Sequence, residues 1–582
     1  MRTDTAIPES PLFFIVFIAL SVIAGNWVSM FGLDVPIGDD LYGLVYALDN
    51  TVPWHFASRN PTGPIVIYSL MELTAVSIYL ARALIVVLCV VPVSLAFFHL
   101  YRNILGIDAP AAAAAAVIPS ILPGQNIIFH CLIQSYMAVY LLPILASLFL
   151  GVMALRRESF YLPLIASIAL YFISCISVEQ AVFLLVPFSL IFLITAPLGR
   201  KHIYLIASFF IIACHKAALT LLRPWPATTP TDHSLHEIAR RCVLFFQYAL
   251  PVPVDLTSAW DAGSHQMYLV IGIAAVLIVS GFLVGYLTPR GSGVLTENGL
   301  PSFPARKRWV LLYLFGILWT LSTFLPFLIS YAYNSRHVYV ASIGFNLILV
   351  LSVVSIVRAV FRRRQAAVVI VCLLMIGTAV IGRSIALSHF FQQPNRYYSL
   401  VSRELNYDFP EDSQVVLFGP WYFENGHWNV MADGYIKFVT KRPDIDGTVP
   451  FENSFCDPFS GKGGYGYKNV LDVDRPLFIY RIDPADERLI PVEYALQWIE
   501  PADDSPWVVY RLDLNTGENI LYAEGVGYER YMDFLNEAER EGIHYSDIAW
   551  GDIRDAAERF PDGSSSRDRS HGAMTEDTQQ NP

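Results

Sequence analysis

Eleven stretches of about 20 predominantly apolar residues run through this chain, at approximately 12–31, 77–100, 110–128, 132–154, 159–177, 181–198, 203–222, 267–287, 309–329, 338–357 and 366–387. Each is long enough for a helix to cross roughly 30 Å of hydrocarbon, where only a helix or a closed barrel satisfies its own backbone N–H and C=O groups. That constraint fixes the class: an α-helical polytopic membrane protein of about eleven spans. Composition agrees, because 54% of the 582 residues are hydrophobic and 15% charged, with a mean hydropathy of +0.46. Water-soluble globules reach about a quarter charged.

Basic clusters set the expected orientation. Tyr101-Arg102, Arg156-Arg157, Arg200-Lys201, Arg306-Lys307-Arg308 and Arg362-Arg363-Arg364 fall in every second loop, as the positive-inside rule requires of cytoplasmic loops. The sequence from Met1 to Pro11 holds one Arg, and no small-residue cleavage site follows the first apolar run, so 12–31 is expected to be retained as a span. The N-terminus is then inside. Loops 32–76, 223–266 and 330–337, short turns near His130 and Glu179, and everything after 388 are outside, which suits a multi-pass protein of a cytoplasmic (inner) membrane.

Charge divides the chain the same way. Residues 388–582 carry 17 Lys+Arg against 35 Asp+Glu, a net of −18, whereas residues 1–387 carry 22 against 15, a net of +7. An acidic tail argues against a nucleic-acid partner. Three domains follow: 1–387 in the membrane, 388–561 as an extracytoplasmic α/β or α+β domain, and 562–582 as a disordered tail of Ser, Asp, Arg and Gln. Within the second, Gln414–Phe418, Pro476–Tyr480 and Trp507–Leu512 read as strands, with helical patches at Tyr397–Leu405 and Tyr528–Glu541. Of seven cysteines, Cys89, Cys175, Cys214 and Cys372 lie in apolar runs and Cys456 stands alone, so the chain has no disulfide framework and no CxxC spacing.

The first outer loop begins with Gly38-Asp39-Asp40-Leu41-Tyr42. Leu41, Leu44, Val45 and Leu48 recur at helical spacing behind the acids, predicting a short interfacial helix, and Ile65–Leu73 reads as a second. Two readings of the acidic pair stay open. Asp39 or Asp40 caps the helix, or a partly buried carboxylate serves as a general base. Loop 223–266 is similar, with a Pro-rich start and a helix from Ser234 to Leu250 that carries His236, Arg240, Arg241 and Phe245.

Further polar groups sit at the same level. Asn334-Ser335-Arg336-His337-Val338-Tyr339 opens the tenth span; Arg336 could hold a phosphate bidentately with His337 and Tyr339 adding donors, or anchor the helix at the interface. Glu179, in Ser177-Val178-Glu179-Gln180, is a carboxylate between two apolar runs and needs a solvated cavity or a cation. Arg59 and Arg82 are outer cations suited to a lipid phosphate or to the acids. His130, Gln134, Lys216 and His236 are weaker candidates. Gly461-Lys462-Gly463-Gly464-Tyr465-Gly466 lacks the strand-to-helix setting of a phosphate loop and reads as a surface loop.

Taken together, the outer motifs resemble the GT-C superfamily of polytopic glycosyltransferases, which includes protein O-mannosyltransferases and TPR-bearing transmembrane mannosyltransferases. The resemblance covers roughly residues 1–387. It rests on the acidic pair in a long first outer loop, the Pro-containing end of the third span (Leu122-Pro123-Gly124-Gln125), the acid and Gln at 179–180, and the run from Arg336 through Tyr339 and Ser342 to Gly344-Phe345. His337, Ala341, Gln125 and Val178 depart from the usual pattern. The resemblance implies an inverting transfer of sugar from a polyprenyl-phosphate donor to a glycan, lipid or protein acceptor at the outer membrane face. Asp39 or Asp40 would be the base, and Arg336, His337, Tyr339 and Arg59 would bind the donor phosphate. Glu179 would be an acid in the cavity. No cofactor is demanded, and a divalent cation stays open. Two other classes compete: a non-catalytic scaffold or glycan-binding protein of envelope polysaccharide assembly, and a lipid-sugar transporter, which should show internal repeats or broken spans in matching halves.

Overall fold

The computed structural model describes residues 11–32, 73, 77–124, 136–158, 160–178, 180–221, 234–261, 263–288, 303–328, 335–361, 365–405, 409–418, 435–448, 476–483, 488–491, 494–498, 506–513, 519–526 and 548–549. They form two compact units that divide after Gln392.

The first unit is all helix. In chain order, the helices are α1 (Pro11–Gly25), α2 (Trp27–Phe31), α3 (Ile78–Ile104), α4 (Ala109–Ile121), α5 (Tyr136–Arg156), α6 (Tyr161–Ser177), α7 (Gln180–Thr195) and α8 (Arg200–Leu221). They continue with α9 (Leu235–Ala249), α10 (Leu256–Asp261), α11 (His265–Leu287), α12 (Ala305–Leu328), α13 (Ser335–Val360) and α14 (Gln365–Glu404). Among the described residues six are long and apolar enough to cross a membrane: α3, α11, α12, α13, the Ala138–Arg156 part of α5 and the Gln365–His389 part of α14. The helices α1, α4, α6 and α7 are apolar but shorter. The chain is therefore a multi-pass membrane protein, with each of the eleven apolar runs falling on a helix. The count of eleven crossings stays an expectation, since 15 residues of α1 rise only about 22 Å.

Local chemistry explains the breaks. Asn26 separates α1 from α2; its amide Nδ2 donates to the Val22 carbonyl at 2.9 Å and to the Ser120 carbonyl of α4 at 3.1 Å. In α3, Pro92 lacks the N–H that a continuous ladder needs, and a π turn at Val86–Val90 accommodates it. The apolar run that suggested a span to residue 128 stops being helical at Ile121, with Pro119 in its last 3₁₀ turn and Pro123 after it.

At the centre lies α4, whose Ala111–Ala116 are all buried. Alanines leave room for α1, α3 and α13 to approach its backbone closely, as small residues do between membrane helices. The span α13 is 83% buried and α11 only 17%, which separates the core helix from a lipid-facing one. The two cross where a side chain at Gly281 would run into the Ser352 backbone, and one turn later Gly285 lies under the Trp309 ring. That Gly281-xxx-Gly285 pair is the close-packing spacing typical of membrane helices. A serine pair locks α5 to α6: Ser147 Oγ donates to Ser167 O at 2.7 Å, and Ser167 Oγ to Ser147 O at 2.8 Å.

The helix expected from Ser234 exists as α9, and Ser234 Oγ accepts the Glu237 N–H at 3.2 Å as its cap. Its inner face joins Phe245, Ala249 and Leu250 to Phe324, Val338, Ala341 and Phe345 in one apolar cluster. Arg241, buried, donates to Glu237 (3.1 Å) and to the Leu328 carbonyl (2.9 Å).

The second unit is mixed. Strands β1 (Gln414–Phe418), β2 (Asp446–Thr448), β3 (Leu477–Asp483) and β4 (Arg488–Pro491) form a sheet in the order β2-β1-β3-β4, parallel across the first three. A second sheet has the order β7-β6-β5-β8, from β5 (Tyr494–Trp498), β6 (Pro506–Asp513), β7 (Asn519–Val526) and β8 (Ile548–Ala549). The three expected strands are present; the helical patch at 528–541 lies outside the described residues. Arg442 clamps the edge of the first sheet by pairing with Asp444 and donating to the Phe409 carbonyl. Lys437, nearly buried, meets Asp446 at 3.2 Å.

Gly281→Leu forces a side chain into the α13 backbone and should lower stability by about 1–3 kcal/mol. Gly272→Leu, on the same helix with open space around it, should leave the thermal midpoint in detergent unchanged.

Candidate functional site

The bundle has two chemically different ends. At one, Arg358 of α13 meets Asp108, just before α4, at 2.6 Å, both buried. Arg102, Arg156 and Arg157 belong to that end, and Lys201 donates to the Arg157 carbonyl there. Since α4 and α13 run antiparallel, their other ends also meet: Tyr339, four residues into α13, shares a side-chain hydrogen bond with Ser120.

Ser120 is the junction of a buried polar seat. Its hydroxyl lies 2.9 Å from Ser94 Oγ of α3, and its carbonyl accepts from Asn26. Arg383 of α14, fully buried, donates to the Leu122 carbonyl at 2.7 Å and lies in electrostatic contact with Tyr339. Gly25 and Gly382 let the helices close around it: a Cβ at Gly25 would strike Ile121, and one at Gly382 would lie 2.7 Å from Pro253 and 3.1 Å from Pro123. Four helices, α3, α4, α13 and α14, and the junction of α1 with α2 thus each contribute a polar group to this end of the bundle. Arg82, fully buried as well, sits on α3 twelve residues before Ser94.

Of the residues singled out from sequence, Tyr339 is in this seat, 1% exposed, inside the bundle. Arg336 and His337 lie in the first turn of α13, one turn before it; their side chains are outside the described residues. Asp39, Asp40, Arg59 and Glu179 lie outside them altogether, as do His130, Gln134 and the glycine-rich stretch 461–466. The bounding residues are described: Val178 and Gln180, on either side of Glu179, are buried, and Lys216 Nζ is 3.5 Å from the Ile176 carbonyl. Segment 33–76 leaves from the end of α2 and returns at α3, where the Phe31 and Tyr79 rings are 6.2 Å apart. His236 is exposed and packs its ring 5.3 Å from Trp260. Among the described residues no group of three His, Cys, Asp or Glu could hold a metal.

Sequence reading passed over Asn26, Ser94, Ser120 and Arg383. One signal was present, a lone arginine inside the last apolar run, because a charge at that depth is expensive unless the fold employs it.

No family model matches the chain, and no curated protein matches it. Among solved structures, the archaeal oligosaccharyltransferase AglB from Archaeoglobus fulgidus in complex with an inhibitory peptide and a dolichol-phosphate aligns with 78% of this chain and 66% of its own, at 15% identity and a TM-score of 0.38. The Archaeoglobus fulgidus oligosaccharyltransferase tethered with an acceptor peptide containing the NVT sequon aligns with 78% and 65%, at 14% identity and a TM-score of 0.37. The chain spans about two thirds of the length of these structures. Both of these structures are oligosaccharyltransferases.

The hydroxyls of Ser120 and Tyr339 are coupled through one bond inside the bundle. A double-mutant cycle of Ser120→Ala and Tyr339→Phe, read by unfolding in mixed micelles, should give a coupling of about 0.6 kcal/mol, the usual worth of such a bond between membrane helices.

Proposed function

We propose that this chain is a membrane glycosyltransferase that moves a sugar from a polyprenyl-phosphate donor to an acceptor at the outer face of a cytoplasmic membrane, with inversion at the anomeric carbon. The observation that carries the reading is the convergence of chain ends. The points where segment 33–76 leaves and re-enters the bundle, the first turn of α13, and the polar seat belong to the end opposite the Arg358–Asp108 pair. The first turn of α13, which carries Arg336 and His337, and the buried polar seat therefore share one end of the first unit.

The chemistry follows from the groups. Asp39 or Asp40 takes the proton of the acceptor hydroxyl while its oxygen attacks the anomeric carbon. The bond to the polyprenyl phosphate breaks on the opposite face, which inverts the configuration. The departing phosphate carries its negative charge to Arg336, with Arg59, His337 and Tyr339 as further donors. Glu179 orients the acceptor or a cation within the cavity. The acidic second unit is an acceptor-binding domain outside the membrane.

Sugar transfer from a polyprenyl-phosphate donor, followed by release of the lipid phosphate, tests the reading. Asp39→Asn, Asp40→Asn and the double variant should bring at least one loss of about a hundredfold or more, the usual contribution of a general base. Transfer that persists at the wild-type rate in all three would remove these carboxylates from the chemistry.

A further inference from the structure

A carboxylate between two apolar runs needs water or a cation, and the chain around Glu179 offers few cations. Between Glu158 and Asp232 the sequence holds one carboxylate, Glu179, and between Lys201 and Arg223 it holds one lysine or arginine, Lys216. Away from the basic end of the bundle, the stretch that forms α6, α7 and α8 therefore carries one acid and one such base.

Packing brings the two parts of the chain together. The ring of Tyr171 on α6 stacks on Phe209 of α8 with centroids 3.9 Å apart. Its hydroxyl donates to the Val182 carbonyl of α7 at 3.2 Å, so one side chain ties all three helices. Lys216 follows Phe209 by seven residues, two turns along the same face of α8. Its neighbours Cys214, His215 and Ala217 are exposed, whereas Lys216 is half-buried and its ammonium donates to the Ile176 carbonyl at 3.5 Å. Cys175, beside Ile176, is in electrostatic contact with the same ammonium.

Ile176 lies three residues before Glu179. The helix α6 ends with the Val178 N–H donating to the Ser174 carbonyl at 2.8 Å, and the Ala181 N–H closes a tight turn on the Val178 carbonyl at 3.1 Å. The two ends of such a turn are less than about 7 Å apart. Ser177, Val178 and Gln180 around it are all buried. Capping the end of α6 accounts for the Ile176 contact alone, and any donor would serve there. A formal charge turned toward α6 at this depth is matched instead by the one acid of the region.

We infer that Lys216 is the ion-pair partner of Glu179 and positions that carboxylate for the acceptor. The cation that Glu179 meets is then the chain's own, supplied by α8. The positioning role rests on the transferase reading, and the pairing does not.

A double-mutant cycle in the full chain tests both parts. Lys216→Met and Glu179→Gln should each lower the thermal midpoint in detergent, and the double variant should lie no lower than the worse single one, because losing either charge strands the other. Should Lys216→Met fail to fold, the exchange Glu179→Lys/Lys216→Glu should have a higher midpoint than either single reversal. Additive losses, or an exchange that recovers nothing, overturn the pairing and leave Lys216 a cap on α6. Sugar transfer from a polyprenyl-phosphate donor reads the positioning role. Lys216→Met and Glu179→Gln should each raise the acceptor KM about tenfold or more with the donor KM unchanged, the double variant no further, and Lys216→Arg should restore most of the loss. Coupled midpoints with wild-type transfer in Lys216→Met overturn the positioning role. A wild-type chain that transfers no sugar overturns the transferase reading and the positioning role with it, while coupled midpoints still establish the pair.

Discussion

Close approach to α4 is the constraint on which the bundle depends. Its six consecutive buried alanines offer no side-chain bulk beyond a methyl group, so α1, α3 and α13 come near enough for short hydroxyl and amide groups to reach one another. Larger residues there would separate Ser94 from Ser120 and Asn26 from the Ser120 carbonyl, bonds of 2.9 and 3.1 Å that have no slack. In hydrocarbon such groups find few substitutes for each other. The polar seat and the apolar packing are therefore one design: small residues along α4, polar ones at its end.

The same antiparallel pair, α4 and α13, carries an ion pair at its opposite end. Arg358 and Asp108 are both within a few per cent of complete burial, and a buried pair becomes strongly unfavourable when one member is lost. Its value lies in register. With Arg358 fixed on Asp108, α13 cannot slide along α4, and Tyr339 is held opposite Ser120. Trp319 reinforces this by donating from its indole to the Val340 carbonyl at 2.7 Å, one residue from Tyr339. Gly344 and Gly316 bring α12 and α13 close enough for that bond.

Much of this was legible from the chain, and the physical reason is the period of its patterns. Long apolar runs marked the long apolar helices of the bundle, Ser234 followed three residues later by Glu237 marked the start of α9, and alternating residues marked β1, β3 and β6, while α10 had no such mark. What escaped were features made by contacts distant in sequence. Asn26 divides the first apolar run because a carbonyl 94 residues away is its partner. Arg241 was a candidate outer group, but the Leu328 carbonyl 87 residues on turns it into a structural tie. Tyr339 was noted as a phosphate donor, whereas its link to Ser120 and its nearness to Arg383 emerge only when α4, α13 and α14 are assembled. The acids Asp39, Asp40 and Glu179 and the cation Arg59 lie outside the described residues, so their part in the site rests on the sequence motifs.

Arg383 sharpens the distinction between structure and use. Capping the Leu122 carbonyl needs a single N–H, which a neutral glutamine or asparagine supplies without bringing a charge into the membrane. Filling the volume needs no polarity at all, and well-packed apolar residues commonly serve a core as well as buried ions do or better. A guanidinium at this position thus exceeds what packing requires by one formal charge, and a charge at that depth is unfavourable by several kcal/mol in an isolated helix, less where a wet or polar pocket receives it. The Leu122 carbonyl and the nearby Tyr339 hydroxyl supply part of the polar surroundings that reduce that penalty.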